Sequence, residues 1–146
     1  MSNRWLMLSM TGLHRTLLRA TRGRVGSTLG TMRVVELTTT GRSTGATRTA
    51  LLTVPATDPS TGALIVIASR GGDDAQPAWY LNLVAEPRVG IAAPGEHPRP
   101  DLARTADPDE RAHWWPLAVR AYRGYEQYQR RTSREIPVVI LEPLDG

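Results

Sequence analysis

The sequence contains no cysteine and no lysine, and both absences narrow its chemistry. Without cysteine the chain has no disulfide, thiolate nucleophile, cysteine-based zinc site or iron–sulfur cluster. Without lysine it lacks the phosphate-binding residue of an NTPase P-loop and cannot form a Schiff base. We therefore expect no metal centre and no covalent catalysis by these groups. The absence of cysteine is also compatible with a reducing cytoplasm, where we expect the protein to act.

The sequence also lacks an apolar run long enough to span a bilayer, and it shows no signal-peptide pattern. Its start, "RWLMLSMTGLHRTLLRATR" (4–22), predicts an amphipathic helix with a basic face. Such a helix either caps its own domain or lies on an anionic membrane surface, which would place the protein at the inner face of the cell membrane. We accordingly divide the chain into a helical extension, 1–30, and one domain, 31–146.

All 18 basic residues are arginines, and they give a formal net charge of +4. The imbalance is strongest in the first third, where Glu36 is the only acidic residue before Asp58. Guanidinium groups match the geometry of phosphate and carboxylate, so an acidic small molecule or an anionic lipid is a suitable partner. The basic region shows no nucleic-acid recognition motif and few interleaved aromatic residues, so we expect no nucleic-acid partner.

Short β-type segments follow residue 30, rich in Val, Ile, Leu and Thr and separated by Gly, Pro, Asp and Ser. They cover 32–40, 47–56, 63–69, 88–93, 100–106 and 136–143. Two helical segments interrupt them, 77–87 and 107–122, and the second begins with Asp107 as N-cap, Pro108 and a capping-box Glu110. Many short strands with few helices predict an α+β fold built on a small barrel.

The stretch "GRSTG" contains a Gly-x-Ser-x-Gly pattern at Gly41, Ser43 and Gly45. In an α/β-hydrolase this pattern presents a nucleophilic serine between a strand and a helix. Here the serine is followed by "TRTALLTVPA", which is β-type, and His97 and His113 are poorly placed to complete a triad. The pattern therefore predicts a β-hairpin, whose amides, hydroxyls and arginines can bind an oxyanion or whose glycines merely turn the chain.

Two later stretches repeat this chemistry. "ASRGG" (68–72) lies between a strand and a helix, where free amide groups and the helix dipole favour an anion. "YRGYEQYQ" (122–129) places three tyrosines at intervals of three, hence on one face of a helix or helical turn. That face is either a packing stripe or one wall of a site.

Taken together, these segments resemble the deazaflavin-dependent nitroreductase family, the split β-barrel oxidoreductases that use coenzyme F420, an 8-hydroxy-5-deazaflavin. The resemblance covers the chain from about Val34 to Pro143, where the motifs stand in the family's order and spacing: "LTTTGRSTGATRT", "ASRGG", "PAWYLNL", "EPRV", "YRGYEQYQ" and "REIPVVILEP". It implies an α+β split β-barrel, an FMN-binding-like roll, with the cofactor in a groove. It also implies hydride transfer to an electron-poor acceptor: a nitroaromatic, a quinone or an activated alkene.

The resemblance further implies roles for individual residues. The hairpin arginines would grip the phosphate-bearing tail of the cofactor, and the tyrosines would orient the acceptor or donate a proton. The implied cofactor-binding residues are Thr40, Arg42, Ser43, Thr44, Arg48, Ala68, Ser69, Arg70, Gly71, Trp79 and Asn82. The implied catalytic residues are Tyr122, Tyr125 and Tyr128.

One position departs from the family pattern, since many members carry lysine where this chain has Ser43. The change removes a positive charge from the phosphate grip, so we expect a weaker or rearranged tail contact, for which Arg70 or an arginine of the first helix can compensate. Two other interpretations stay open: an FMN-binding split barrel, and a basic membrane-surface module without catalysis. We expect a monomer or a homodimer.

Overall fold

The computed structural model describes residues 28–29 and 32–144. The predicted helix at 4–22 and its contact with a membrane lie outside the described residues and stay predictions, as does the domain boundary at residue 30. Within the described residues, no helix combines the length and the apolar character needed to cross a bilayer.

Eight strands in the described part of the chain form one antiparallel sheet, accompanied by three helices. The strands are β1 Thr28–Leu29, β2 Met32–Thr40, β3 Thr47–Val54, β4 Ala56–Thr57, β5 Leu64–Ile67, β6 Arg88–Ala92, β7 Arg99–Thr105 and β8 Val138–Pro143. The helices are α1 Ala78–Ala85, α2 Pro108–Ala121 and α3 Gly124–Arg130. The strand order is β1-β2-β6-β7-β8-β5-β4, and β3 pairs with β2.

The sheet curls on itself into a split barrel. β2 and β3 form a long hairpin whose register runs from Thr40 opposite Thr47 to Arg33 opposite Val54. β3 has no partner strand on its other side among the described residues, but it packs against β5. The predicted α+β barrel of short antiparallel strands is therefore confirmed.

The strands β5 and β8 are buried on both faces, which gives the domain two hydrophobic clusters. Leu64 and Val66 of β5 join an inner cluster with Trp79 and Leu83 of α1. The alternate residues of the same strand, such as Ile65, join an outer cluster covered by α2 and α3. Side chains alternate between the two faces of a strand, so continuous apolar runs such as "LIVI" require cover on both sides.

The helix starts follow the sequence signals. At the start of α2 the Asp107 side chain accepts a hydrogen bond from the Glu110 amide at 2.8 Å, and Glu110 Oε1 accepts from the Asp107 amide at 2.9 Å. This is the predicted capping box.

α2 ends at Ala121 and α3 begins at Gly124, so the three tyrosines lie at a junction of two helices rather than on one.

A tight turn at Arg70–Gly72 packs directly against α3. Gly72 has φ +85°, and a Cβ there would lie 2.7 Å from the carbonyl oxygen of Tyr128. Real Cβ atoms do not approach backbone this closely, and the left-handed conformation also favours glycine. The turn and the helix can therefore meet only because residue 72 has no side chain.

We predict that Gly72→Ala destabilises the protein more than Gly95→Ala does. Gly95 has a similar φ of +83° but open space around the Cβ position, so both variants incur the left-handed strain and only Gly72→Ala adds a clash. The shared strain is about 1–2 kcal/mol, and the clash adds about 1–3 kcal/mol. Urea unfolding monitored by circular dichroism measures both losses, and equal losses would contradict the close contact.

Candidate functional site

The hairpin turn between β2 and β3 is built for tight curvature. Gly41 donates its N–H to Ala46 O at 2.7 Å, Gly45 N–H donates back to Gly41 O at 2.7 Å, and Gly45 has φ +74°. Ser43 and Thr44 are exposed on the turn. Because a strand and not a helix follows Ser43, the prediction of a hairpin instead of a nucleophile elbow is confirmed.

A buried amide fixes this hairpin to α1. Asn82 is 3% exposed, and its Oδ1 accepts hydrogen bonds from Arg42 N at 3.2 Å and Arg42 Nη1 at 2.9 Å. Its Nδ2 donates to Thr39 Oγ1 at 3.2 Å. Asn82 therefore holds the arginine of the turn in one orientation, so its own amide is largely committed to the protein.

A groove of about 660 Å³ lies between this hairpin and α1. Three arginines give it positive charge, and leucine, alanine and proline side chains give it apolar surface. The lining residues are Thr39, Gly41, Arg42, Ser43, Thr44, Arg48, Thr49, Ala50, Leu51, Leu52, Arg70, Ala75, Gln76, Pro77, Ala78, Trp79, Leu81 and Asn82.

The turn after β5 contributes the third arginine in a strained conformation. Arg70 has φ +47°, and Gly71 and Gly72 follow with φ +64° and +85°. A non-glycine residue in the left-handed region is uncommon and marks a conformation that surrounding contacts must maintain. Arg70 Nη1 pairs with Asp73 Oδ2 at 3.2 Å, and both side chains are largely buried. The turn therefore presents a guanidinium to the groove with a carboxylate beside it.

The structure brings most of the predicted cofactor residues to this one groove. Arg42, Ser43, Thr44, Arg48, Arg70, Trp79 and Asn82 line it. Thr40, Ser69 and Gly71 are chain neighbours of lining residues, and Ala68 lies two residues before Arg70, but none of the four lines the groove itself. Sequence reasoning missed the apolar wall from β3 and the residues just before α1, such as Leu52, Gln76 and Pro77. The apolar wall carried no distinguishing signal, because strand leucines usually belong to the core.

Trp79 has an unusual polar atom. Its side chain packs into the inner cluster and lines the groove, and it is 8% exposed. Its Nε1 is buried and has no hydrogen-bond partner among the described residues. A buried indole N–H normally has an acceptor, so a ligand in the groove is a suitable one.

The three tyrosines form a cluster of their own, which does not line the groove. Their rings pack edge to face or tilted, with centroids 5.0 to 6.3 Å apart. Tyr125 is 4% exposed, and its hydroxyl lies 3.0 Å from Thr53 Oγ1. The Tyr122 and Tyr128 hydroxyls lie 3.0 Å apart, and Tyr122 is 39% exposed. Tyr122 is therefore the member most accessible from outside.

Two contacts place this tyrosine cluster next to the groove. Thr53, which meets Tyr125, follows the β3 residues that line the groove. The Tyr128 backbone meets Gly72, two residues after Arg70. The cluster and the groove therefore share two walls, β3 and the Arg70–Gly72 turn.

Burial keeps the hydroxyls of Tyr125 and Tyr128 protonated. Desolvation raises the pKa of Tyr128 to about 12, and the neighbouring Tyr122 adds to the shift. Desolvation also raises the pKa of Tyr125, which the hydrogen bond with Thr53 partly offsets. Both residues can therefore act as hydrogen-bond donors throughout the neutral range.

Several known proteins are similar to this chain in sequence and in fold. The model of the F420H(2)-dependent quinone reductase family matches residues 10–143. An F420H(2)-dependent quinone reductase of Mycobacterium tuberculosis is 36% identical over 153 residues, covering 95% of this chain and 96% of that protein. Among solved structures, an F420-H2 dependent reductase (FDR-A) is 41% identical with a TM-score of 0.65, covering 75% of this chain and 93% of that one.

A second solved structure, described as a domain-swapped dimer, is 34% identical with a TM-score of 0.67 and covers 92% of this chain and 97% of that one. The oligomeric state of this chain stays a prediction. The resemblance to F420-dependent split-barrel oxidoreductases is confirmed, since family, relatives and structures agree. The chain belongs to the F420H(2)-dependent quinone reductase family, oxidoreductases whose cofactor is coenzyme F420.

Proposed function

We propose that this chain binds F420 in the groove between the β2–β3 hairpin and α1, and that the reduced cofactor supplies a hydride to a quinone or to another electron-poor acceptor, a nitroaromatic or an activated alkene. The observation that supports the proposal is the composition of the groove. The β2–β3 hairpin brings Arg42 and Arg48 to a groove that also has apolar walls, and the turn after β5 adds Arg70. Trp79 lines the same groove, and its buried indole N–H has no acceptor among the described residues.

The arginine side of the groove suits the cofactor tail. That tail carries a phosphodiester and carboxylates, which guanidinium groups bind through paired hydrogen bonds. Arg48 is exposed on β3, and Asn82 orients Arg42 through one of its nitrogens, Nη1. Arg70 reaches the same groove from the turn after β5, where Asp73 is paired with it, so the charge missing at Ser43 is replaced only if the cofactor tail displaces that carboxylate.

The apolar side suits a planar ring system. Leu52, Pro77, Ala78 and Leu81 provide nonpolar contact surface and limit the access of water. The Trp79 N–H offers a fixed donor to a polar atom on the edge of such a ring. Because the chain has neither cysteine nor lysine, its own residues bind and orient the cofactor and exclude water from it. The redox chemistry belongs to the cofactor.

The tyrosine cluster is the proposed acceptor side. Tyr122 is the exposed member, and its hydroxyl is linked to that of Tyr128, so the pair can orient a carbonyl or nitro oxygen and deliver a proton. Tyr125 supports the pair from below through ring contacts. This assignment rests on the shared walls described above and on the raised tyrosine pKa values.

The direct test is a binding titration followed by a rate measurement. Purified protein is titrated with oxidised F420 and, separately, with FMN, and binding is followed by the change in cofactor fluorescence. We expect F420 to bind and FMN to bind far more weakly. Oxidation of F420H2 is then followed with a soluble quinone, a nitroaromatic and an activated alkene. Tight binding of FMN without binding of F420 would identify an FMN-type split barrel instead.

We predict that Arg48→Ala weakens F420 binding without slowing turnover at saturation. A charged hydrogen bond contributes about 1.5–3 kcal/mol, which corresponds to a roughly ten- to hundredfold rise in Kd. The contact exists before and after the chemical step, so kcat should be nearly kept. Arg88→Ala is the matched control, since its side chain is 79% exposed on β6 and does not line the groove. If the two variants bind F420 with equal affinity, Arg48 does not contact the cofactor.

We predict that Tyr125→Phe lowers kcat and leaves the Kd for F420 close to that of the wild type. The substitution keeps the ring but removes the hydroxyl whose hydrogen bond with Thr53 anchors that ring against Tyr122 and Tyr128. Thr53→Val is the matched control, because it breaks the same hydrogen bond from its other end. If Thr53→Val lowers kcat as much as Tyr125→Phe does, the hydroxyl acts only through that bond.

We predict that kcat shows no loss attributable to tyrosine ionisation between about pH 7 and pH 9, where even an ordinary tyrosine with a pKa of about 10 stays largely protonated. Burial raises the pKa of Tyr125 and Tyr128, which shifts any loss of their protons to still higher pH. The measurement is kcat against pH for the wild type and for Tyr128→Phe. A fall in the wild type below pH 9 that vanishes in the variant would contradict this role.

A further inference from the structure

Arg134 makes an unusual set of hydrogen bonds to one loop. Its Nε donates to Asp73 O at 2.7 Å, and its Nη2 donates to Ser69 O at 2.8 Å. Its Nη1 donates to Gln76 Oε1 at 2.7 Å and to Ala68 O at 3.3 Å. One guanidinium thus satisfies three backbone carbonyls and one side chain, all between residues 68 and 76.

This loop forms one wall of the cofactor groove. Arg70, Ala75 and Gln76 belong to the groove lining, and Arg70 has the strained left-handed backbone described above. Strained residues persist only where surrounding contacts over-determine them. Arg134 donates hydrogen bonds to carbonyl groups on both sides of the strained residues, at Ser69 and Asp73. Its contacts therefore hold both ends of the strained turn in place.

Neighbouring residues reinforce the same connection. Arg131 Nη1 donates to Gly71 O at 3.2 Å, and Thr132 Oγ1 donates to Asp74 Oδ1 at 2.7 Å. These residues directly follow α3, which carries Tyr125 and Tyr128. The segment 131–134 therefore joins the end of the tyrosine helix to the loop that holds Arg70.

We propose that Arg134 is a positioning residue for the cofactor site: its guanidinium holds the loop 68–76 in the shape that presents Arg70 to the groove. The inference rests on the proposed F420 site. The planar fork is essential to this role, because four acceptors in different directions require donors on three separate nitrogens. A lysine in its place would keep the charge and lose most of the bonds.

The test compares Arg134→Lys with the wild type and with Arg104→Ala. Arg104 also makes several side-chain bonds, to Glu110 and Glu142, but it lies on β7 outside the groove lining. We expect Arg134→Lys to raise the Kd for F420 roughly 5- to 50-fold, which lies within the range of coupling between contacting residues. Arg104→Ala should lower Tm and leave that Kd unchanged. An unchanged Kd in Arg134→Lys would overturn the proposal.

A double-mutant cycle with Arg70→Ala separates positioning from general stability. If Arg134 acts through Arg70, Arg134→Lys should raise Kd much less in the Arg70→Ala background than in the wild type. Its effect on Tm should be similar in both backgrounds. Equal increases of Kd in the two backgrounds would show that Arg134 does not act through Arg70.

Hydrogen exchange of the cofactor-free protein provides a readout that does not depend on F420. We expect Arg134→Lys to speed amide exchange in 68–77 selectively, whereas Arg104→Ala does not. Loss of loop protection together with failure of the wild type to bind F420 would refute the proposed function and leave the loop contact standing. Unchanged exchange in 68–77 would refute the positioning role itself.

Discussion

The strands β5 and β8 must be covered on both faces, and the arrangement of the site depends on this constraint. Their consecutive apolar residues are buried on either side of the sheet, and exposing them would cost about 25 cal/mol per Å² of apolar surface. α1 covers the inner cluster, whereas α2 and α3 cover the outer one. The groove therefore lies beside α1 and the tyrosines lie at α3. Both regions border β3 and the Arg70–Gly72 turn.

A few polar contacts convert this packing into a defined site. The hydrogen bond between Asn82 and Arg42 fixes the hairpin turn relative to α1. The hydrogen bonds of Arg134 fix the turn at Arg70 relative to the segment after α3. Each contact joins residues at least 40 positions apart in sequence. Both contacts use the planar guanidinium of an arginine. A lysine ammonium, which this chain lacks, would carry the same charge but could not make such directional hydrogen bonds.

The elements could be predicted from sequence because their signals are local. The run 32–40 reads as a strand from its β-branched residues, and the capping box at Asp107 and Glu110 marks the start of α2. The role of Arg134 could not be predicted, since its partners are carbonyl groups that carry no residue-specific signal. The burial of Tyr125 was equally hidden, because three tyrosines at helical spacing are compatible with both a packing stripe and a site wall.

Under the proposed function, the two interpretations of the spacing apply to different tyrosines of the cluster. Tyr125 packs in the outer cluster, and its hydroxyl is satisfied by Thr53, as expected of a packing residue. Tyr122 is held against Gly124, where a Cβ would clash with the tyrosine ring, and it keeps much of its surface exposed. Glycine at 124 thus lets the Tyr122 ring lie close to the start of α3, with its hydroxyl within hydrogen-bond distance of the Tyr128 hydroxyl. One sequence pattern therefore supplies a buried ring, Tyr125, and a linked pair of hydroxyls of which only Tyr122 belongs to an exposed side chain, and the packing of Tyr125 helps to fix the geometry of that pair.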